Sequence, residues 1–311
     1  MKAAQINAYG GQAVVAVTEQ AETPVAGEGQ VLVKVHAAGV NPFDYKVREG
    51  FVRQMAELNF PATLGGDVAG EVTAVGPGVT TVQIGDAVFG QAGALSGHGS
   101  FAEFTPVKAE SLAAKPQTID YLTAAGLPLV GVSAYQAPVD TLNLLADQKI
   151  LIHGAAGGIG SVAVQLAKQL GAYVAATARA EDAEFVKSLG ADEVIDYQQE
   201  DFAQLLKDYD AVFDTVGGDT NVKSYTILKP GGALVSMMEQ PDEALVSQYD
   251  ISYSHQFTQV TTERLEKLAA LVDDGAIKLT VDKVFPLDQA AEALEYVKTG
   301  HPRGKVVIQV D

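Results

Sequence analysis

The sequence predicts an α/β protein in which a small β-barrel precedes a doubly wound parallel sheet. Short Val- and Ala-rich runs separated by Gly and Pro turns fill residues 1 to about 115, a pattern typical of small barrels. From about residue 120, strand patterns alternate with helical patterns, and this βαβ order requires a parallel sheet with right-handed crossovers. Within this second segment, the glycine-rich stretch at 153–160 joins a strand pattern directly to a helical one.

Composition limits the class of protein. The 311 residues suffice for two modest domains, and 47% of them are hydrophobic, which allows a sizeable core. A formal net charge of −18 without any basic run argues against nucleic acid and membrane as main partners. Because cysteine is absent, disulfides, thiolate metal sites and thiol nucleophiles are excluded. With no signal-like or long apolar segment, we expect a soluble cytoplasmic protein.

Each predicted strand of the first segment is bounded by turn residues such as Gly10-Gly11 and Gly76-Pro77-Gly78. The strand candidates are Lys2–Tyr9, Val14–Thr18, Gln30–Gly39, Asp67–Gly76 and Ser100–Lys108.

The second segment alternates strands and helices. Its strand candidates are Lys149–His153, Ala172–Ala178, Glu193–Asp196, Asp210–Val216 and Ala233–Met237. The helix candidates between them are Ile159–Leu170, Glu181–Leu189, Asp201–Lys207 and Thr220–Leu228.

The end of the chain returns to isolated elements. Glu263–Val272 and Gln289–Lys298 are predicted helices, the second with Asp288 as N-cap and Gly300 just beyond its end. Lys305–Val310 is a predicted strand.

The glycine motif indicates a dinucleotide site. The strand pattern 149–153 stops at the glycines, and a helical pattern starts at once from Ile159. Glycines allow close approach of a pyrophosphate to the backbone, and the helix N-terminus offers free N–H groups to it. The cofactor-binding candidates of this motif are Ala156, Gly157, Gly158, Ile159 and Gly160.

The tip of the next strand predicts which nicotinamide cofactor binds. An Asp or Glu about 20 residues past the glycines selects NAD, whereas an Arg accommodates the 2′-phosphate of NADP. Here the strand ends Thr177-Ala178-Arg179, and Arg179 lies 19 residues past Gly160. We therefore predict NADPH, held by Thr177 and Arg179; a solvated surface arginine is the alternative, and Glu181 and Asp182 weaken the signal.

Several further motifs occur in an order that resembles a known family. They are Gly39–Gly50, Leu64–Val72, Gly85–Gly90, Ala124–Leu129, Leu189–Asp192, Phe213–Gly218 and His301–Val307. Together with the glycine motif they resemble the zinc-independent medium-chain dehydrogenases/reductases of the quinone oxidoreductase group, and the stretches 41–46 and 127–129 are especially similar to the alkenal/enone reductases. The resemblance covers nearly the whole chain.

The resemblance implies a GroES-like barrel split by an inserted Rossmann domain. The expected division is 1–118 for the first part of the barrel domain, 119–255 for the Rossmann domain and 256–311 for the return to the barrel. A homodimer is also implied, joined through the sheet edge near Ala233–Met237 or the segment after it. Further cofactor-binding residues follow from the resemblance; they are Ser133, Tyr197, Val216, Gly217, Arg303 and Lys305.

Zinc is not expected. Zinc-dependent relatives place a cysteine near the position of Asn41 and a His-Glu pair at Gly66-Asp67, and neither ligand set is present. The five histidines are scattered, and a structural zinc lobe would need several thiolates. Asp67 is interpreted as structural, paired with Arg48 or a backbone amide. Without a Lewis acid, alcohol oxidation is disfavoured, whereas reduction of an already electrophilic carbon stays feasible.

The resemblance therefore implies hydride transfer from reduced nicotinamide to a quinone or an α,β-unsaturated carbonyl. The predicted catalytic residues are Asn41, Tyr45 and Lys46, with Asp44 beside them, on a loop after the strand 30–39. Asn41 can donate to an enolate oxygen or shape an Asn-Pro turn; Tyr45 can donate a proton or line the pocket; Lys46 can stabilise an enolate or lie at the surface. The alternatives are a 2-enoyl thioester reductase and a non-catalytic NADPH-binding protein.

Overall fold

The computed structural model describes all 311 residues. In chain order its strands are β1 (Ala3–Ile6), β2 (Val15–Thr18), β3 (Gln30–Val40), β4 (Ala62–Thr63), β5 (Asp67–Val75), β6 (Ala87–Gln91), β7 (Phe104–Lys108), β8 (Leu112–Ala114), β9 (Lys149–Ile152), β10 (Tyr173–Ala178), β11 (Glu193–Asp196), β12 (Tyr209–Asp214), β13 (Leu228–Ser236), β14 (Ser252–His255), β15 (Val281–Pro286) and β16 (Lys305–Gln309). Its helices are α1 (Pro42–Arg48), α2 (Tyr121–Ala125), α3 (Pro128–Tyr135), α4 (Gly158–Gln169), α5 (Ala183–Ser188), α6 (Phe202–Leu205), α7 (Asp219–Ser224), α8 (Glu243–Tyr249), α9 (Thr262–Asp273) and α10 (Ala290–Thr299).

The chain forms two compact units. The first comprises Met1–Leu129, Val260–Gly275 and Leu279–Asp311; the second comprises Val130–Gln259 and Ala276–Lys278. The first change of unit therefore follows residue 129 rather than residue 118, because α2 packs against β3 and β5 of the first unit. No helix of either unit is long and apolar enough to cross a membrane.

The first unit is the predicted barrel. Its larger sheet has the order β15-β16-β3-β5-β6-β8, with β7 also pairing with β3, and its smaller sheet has the order β2-β1-β4. Along β3, Val31, Val33 and Val35 are fully buried while their neighbours are partly exposed, as the two-residue period of a half-buried strand requires. The C-terminal strand β16 pairs antiparallel with β3, so the last residues of the chain complete this barrel.

The second unit is the predicted Rossmann domain. Its six strands are all parallel and follow the order β11-β10-β9-β12-β13-β14. This is the order of a dinucleotide-binding sheet, in which ligands bind beyond the carboxyl ends of the strands where the order reverses. The reversal lies between β9 and β12, and both strands are almost entirely buried.

Two of the differences from the prediction lie at helix starts. Residues 42–48 form helix α1 and not a loop, because Pro42 at its first position and the acceptor Asp44 begin it. Asp288 does not cap α10: Gln289 holds that position, and the Asp288 carboxylate accepts a hydrogen bond from Lys2 at 2.7 Å.

Candidate functional site

The glycine motif of the second unit forms a tight turn between β9 and α4. Gly157 is the N-cap of α4, so the N–H groups of the first helical turn have no acceptor within the helix and face outward. A Cβ at Gly160 would lie 2.3 Å from the carbonyl oxygen of Gly154, so only glycine permits this close approach of helix to strand. These features suit the pyrophosphate of a dinucleotide.

A buried histidine supports this turn. His153 is fully buried, and its Nδ1 lies 3.0 Å from Thr177 Oγ1 while its Nε2 lies 3.0 Å from Ser224 Oγ. Burial lowers the pKa of His153 to about 4, so the ring is neutral at pH 7. Thr177, a predicted cofactor residue, is thus a buried partner of His153, and its carbonyl accepts the N–H of Ala155 at 3.1 Å.

The turn after β12 is shaped by a buried carboxylate. Asp214 Oδ1 accepts the N–H groups of Val216 and Gly217, each at 2.9 Å. Its Oδ2 accepts from Asn221 Nδ2 at 2.8 Å and from Ser236 Oγ at 3.0 Å. The predicted residues Val216 and Gly217 therefore present a fixed backbone at the carboxyl edge of the sheet, with the side chain of Val216 half-exposed.

Arg179, the residue predicted to bind the 2′-phosphate, lies directly after the end of β10. The Arg179 guanidinium pairs with Asp182 Oδ2 at 2.8 Å and with Glu181 Oε1 at 2.6 Å. Asp182 is buried, whereas the Glu181 side chain is largely exposed. Tyr197 follows β11, and its ring is half-exposed close to the tip of β10.

Ser133 is fully buried in the second unit. Its Oγ lies 2.6 Å from Thr258 Oγ1, and its carbonyl accepts from Gln256 Nε2 at 3.0 Å. The other side-chain atom of Gln256, Oε1, is buried with no hydrogen-bond partner. Gln256 directly follows β14 at the carboxyl edge of the sheet, a placement that the sequence did not predict because β14 itself was missed.

The predicted catalytic residues of the first unit lie on and before α1. Asn41 is the N-cap of α1, and its backbone N–H donates to Asp44 Oδ2 at 2.7 Å. Tyr45 is partly buried against the barrel core, and the side chain of Lys46 is partly exposed with no hydrogen bond or ion pair within the structure. The three candidates thus lie within six consecutive residues, with Asn41 at the N-cap of α1 and Tyr45 and Lys46 inside the helix.

Asn41 belongs to a buried polar cluster that joins three strands. Its Nδ2 donates to Asp67 Oδ2 at 2.8 Å, and its Oδ1 accepts from Lys305 Nζ at 2.6 Å. Lys305 Nζ also donates to the carbonyl of Val40 at 2.8 Å and lies 3.9 Å from Asp67 Oδ2. Asp67 Oδ1 accepts the N–H of Leu129 at 3.1 Å. Of the two partners predicted for Asp67, Arg48 and a backbone amide, the structure therefore has the backbone amide.

Burial dominates the electrostatics of this cluster. It raises the pKa of Asp44 to about 7 and that of Asp67 to about 6, even though Lys305 opposes both shifts. Burial also lowers the pKa of Lys305, with both carboxylates opposing that shift. Lys305 is only 3% exposed, whereas its predicted companion Arg303 is exposed in the preceding loop.

A zinc ion does not fit the residues present. Nowhere in the chain do three His, Asp or Glu side chains converge as metal ligands. At the position compared with zinc ligands, the only carboxylate, Asp67, is already engaged by Asn41, Leu129 and Lys305. The N-cap cradle of α4, in contrast, fits a dinucleotide.

Two known protein families match parts of the chain. Residues 27–117 match the alcohol dehydrogenase GroES-like domain family, and residues 189–308 match the zinc-binding dehydrogenase family. The chain is 38% identical to the chloroplastic NADPH-dependent alkenal/one oxidoreductase of Arabidopsis thaliana, over 99% of this chain and 79% of that protein.

Two solved structures are similar over the whole chain. The quinone oxidoreductase from Coxiella burnetii has a TM-score of 0.92 and 36% identity, covering 100% of this chain and 99% of that one. The Escherichia coli quinone oxidoreductase complexed with NADPH has a TM-score of 0.89 and 27% identity, covering 100% of both chains.

Proposed function

The chain belongs to the quinone oxidoreductase and alkenal/enone reductase group of the medium-chain dehydrogenases/reductases, and we propose that it reduces α,β-unsaturated carbonyls and quinones with NADPH. The observation that carries this proposal is that one chain has both a glycine cradle at a helix N-terminus and a barrel site that offers hydrogen-bond donors but no metal ligand set. Reduction without a metal requires an acceptor that is already electrophilic.

Bound NADPH supplies the hydride, and the second unit holds it. The N–H groups of Gly158, Ile159 and Gly160 bind the pyrophosphate, with Ala156 and Gly157 forming the turn before them. We assign the 2′-phosphate to Arg179. We propose that the other predicted cofactor residues also contact NADPH; they are Ser133, Thr177, Tyr197, Val216, Gly217 and Arg303.

The barrel residues act on the acceptor. When hydride reaches the β-carbon of an enone, negative charge develops on the carbonyl oxygen, and a fixed N–H or ammonium donor stabilises it. Asn41 and Lys46 are the proposed donors to that oxygen. The α-carbon then needs a proton, for which Tyr45 is the proposed source.

Turnover on pure protein tests the function. We expect NADPH oxidation with both an alkenal and a quinone, and none with saturated aldehydes. Turnover confined to an enoyl thioester would instead identify a 2-enoyl thioester reductase, a substrate class disfavoured by the net charge of −18 because its carriers bear phosphates. Tight NADPH binding without turnover of any acceptor would identify a non-catalytic protein.

Assembly and location are also proposals. Strand β13 is paired on both sides, so the edge strand on that side of the six-stranded sheet is β14, and we propose a homodimer joined through that edge. Light scattering that gives a monomer at micromolar concentration would contradict it. The expected cytoplasmic location is tested by imaging or fractionation, since the Arabidopsis relative is chloroplastic.

A further inference from the structure

We propose that Lys305 is a positioning residue for the reaction. Together with Asp67 it fixes the carboxamide of Asn41 in one orientation and leaves one N–H of that carboxamide directed to the acceptor oxygen. This inference rests on the proposed function. The resemblance implies that Lys305 contacts the cofactor directly, whereas here Lys305 acts through Asn41.

The orientation of the Asn41 carboxamide is set by two opposite charges. Its oxygen faces the Lys305 ammonium at 2.6 Å, and its nitrogen faces the Asp67 carboxylate at 2.8 Å. A rotated amide would turn its N–H groups toward the ammonium and its oxygen toward the carboxylate, so both contacts would become repulsive. The pair therefore selects one of the two amide orientations, and its charges strengthen that preference.

The arrangement leaves one donor unused. An asparagine amide carries two N–H groups, and Asn41 Nδ2 makes a single hydrogen bond within the structure, to Asp67. The second N–H has no acceptor within the structure, and because Asn41 is only 2% exposed it is shielded from bulk water; we assign it to the substrate oxygen. Because the carboxamide is already held on both sides, it requires no reorganisation as charge develops, which is the property that makes an oxyanion donor effective.

Lys305 itself is directed into the barrel. Its side chain is only 3% exposed, and its ammonium has acceptors on three sides: the Val40 carbonyl, Asn41 Oδ1 and the Asp67 carboxylate. Strand pairing of Val306 with Val40 places it there. An ammonium that is buried and already hydrogen-bonded to the Val40 carbonyl and Asn41 Oδ1 is not presented to a cofactor phosphate, so its effect on the reaction passes through Asn41.

A double-mutant cycle tests the coupling. We expect Asn41→Ala and Lys305→Met each to lower kcat for an alkenal by about 10²-fold, the usual effect of one oxyanion donor, while the Kd for NADPH stays unchanged. The Asn41→Ala/Lys305→Met double variant should match the single variants, because both remove the same donor. Losses that multiply would overturn the proposal.

A variant in which both Lys305 and Asp67 are replaced by neutral residues controls for misfolding. Lys305→Met leaves Asp67 buried without its cation, which destabilises a protein, so the Lys305→Met/Asp67→Asn variant is measured beside it. Rates are expressed per NADPH-binding site to remove any unfolded fraction. We expect the same selective loss of alkenal turnover in both variants, with an unchanged Kd for NADPH; weaker NADPH binding would instead assign Lys305 to the cofactor.

Chemical rescue provides the matched control. The chain has no cysteine, so Lys305→Cys introduces a single thiol, and alkylation of the unfolded chain with bromoethylamine restores an ammonium at that position. After refolding, the alkylated protein should recover alkenal turnover, whereas alkylation with iodoacetamide should not. The same treatment of Lys108→Cys, at an exposed position on β7, controls for refolding. Equal activity after both alkylations would overturn the proposal, whereas absence of alkenal turnover in the wild type would refute the proposed function instead.

Discussion

Arg179 Nε donates a hydrogen bond to Asp182 Oδ2 over 2.8 Å, and the two residues differ sharply in burial, with 21% of the arginine side chain exposed against 2% of the aspartate. The aspartate therefore acts as a fixed anchor at the tip of β10, and the arginine is oriented before any ligand arrives. Glu181 also faces this guanidinium at 2.6 Å but is 63% exposed, so it is the partner that a phosphate would displace.

The first prediction concerns cofactor choice. Arg179→Ala should weaken NADPH binding by about 1.5–3 kcal/mol, the range for a hydrogen bond to a charged group, and should leave NADH binding almost unchanged. Fluorescence titration of both cofactors measures this. Glu181→Gln serves as the matched variant, and it should tighten NADPH because a competing carboxylate is removed. Equal losses for NADPH and NADH in Arg179→Ala would show that Arg179 does not contact the 2′-phosphate.

A second prediction concerns the close approach at the glycine turn. In Gly160→Ala the added methyl would lie 2.3 Å from the Gly154 carbonyl oxygen, so α4 must shift, at a cost of about 1–3 kcal/mol in the free energy of unfolding. Gly157→Ala is the control, since its methyl would meet Gly154 at 3.4 Å. Urea unfolding and NADPH titration should both separate the two variants; equal stability would contradict the packing argument.

Much of the fold follows from the sequence because its hydrophobic periodicity is strong and local. The five predicted Rossmann strands coincide with β9 to β13, although β13 begins earlier, at Leu228. Strand β14 was missed because Ser252–His255 is polar and only partly buried, so its place in the sheet depends on pairing with β13. The Asn-Pro-x-Asp pattern at 41–44 is a helix-start signal that the reading of 41–46 as a loop overlooked.

The supporting residues of the site were harder to predict than the candidates themselves. His153 and Asp214 lie within the glycine-rich stretch 153–160 and the motif Phe213–Gly218, but they act through contacts with residues close in space, such as Thr177 and Ser236, which the motifs do not reveal. Lys305 lies 264 residues from Asn41 in the chain, and only the pairing of β16 with β3 brings them together. Single-sequence patterns report local spacing, so contacts of this kind require the fold.

The third prediction concerns metal. Purified active protein should contain no stoichiometric zinc, and chelators should not inhibit it, because Asp67 is already engaged by Asn41 and Lys305 and no ligand cluster is present. Elemental analysis and activity after dialysis against a chelator measure this. Activity that depends on added zinc would contradict our interpretation of Asn41 and Asp67.

The fourth prediction concerns pH. Burial lowers the pKa of His153 from its ordinary 6.5 to about 4, so between these values the unfolded chain binds a proton that the folded chain does not, and stability falls as the pH falls. The loss should total about 3 kcal/mol. Asp44 and Asp67, whose pKa values are raised, act in the opposite direction, since the folded chain then binds their protons first.

Comparison of His153→Asn with the wild type isolates the histidine, because the aspartate contributions cancel in the difference. At pH 7 the variant should be less stable, as the hydrogen bonds to Thr177 and Ser224 are lost. This difference should shrink as the pH falls from 6.5 to 4, measured by urea unfolding at each pH. A difference that is constant with pH would show that His153 titrates normally in the folded chain.

The last prediction separates the two acceptor classes. Quinones accept electrons readily, so their reduction depends little on a proton donor, whereas an enone leaves an enolate that must be protonated. Tyr45→Phe should therefore reduce alkenal turnover by about 10²-fold, the low end of general-acid effects, and quinone turnover by much less. The substitution removes only a hydroxyl, so the ring still packs against the barrel core, and the unfolding midpoint serves as the control. Unchanged rates with both acceptors would show that Tyr45 only lines the pocket and that solvent or a cofactor hydroxyl supplies the proton. Rapid oxidation of simple alcohols with NADP⁺ would refute the proposed reaction altogether.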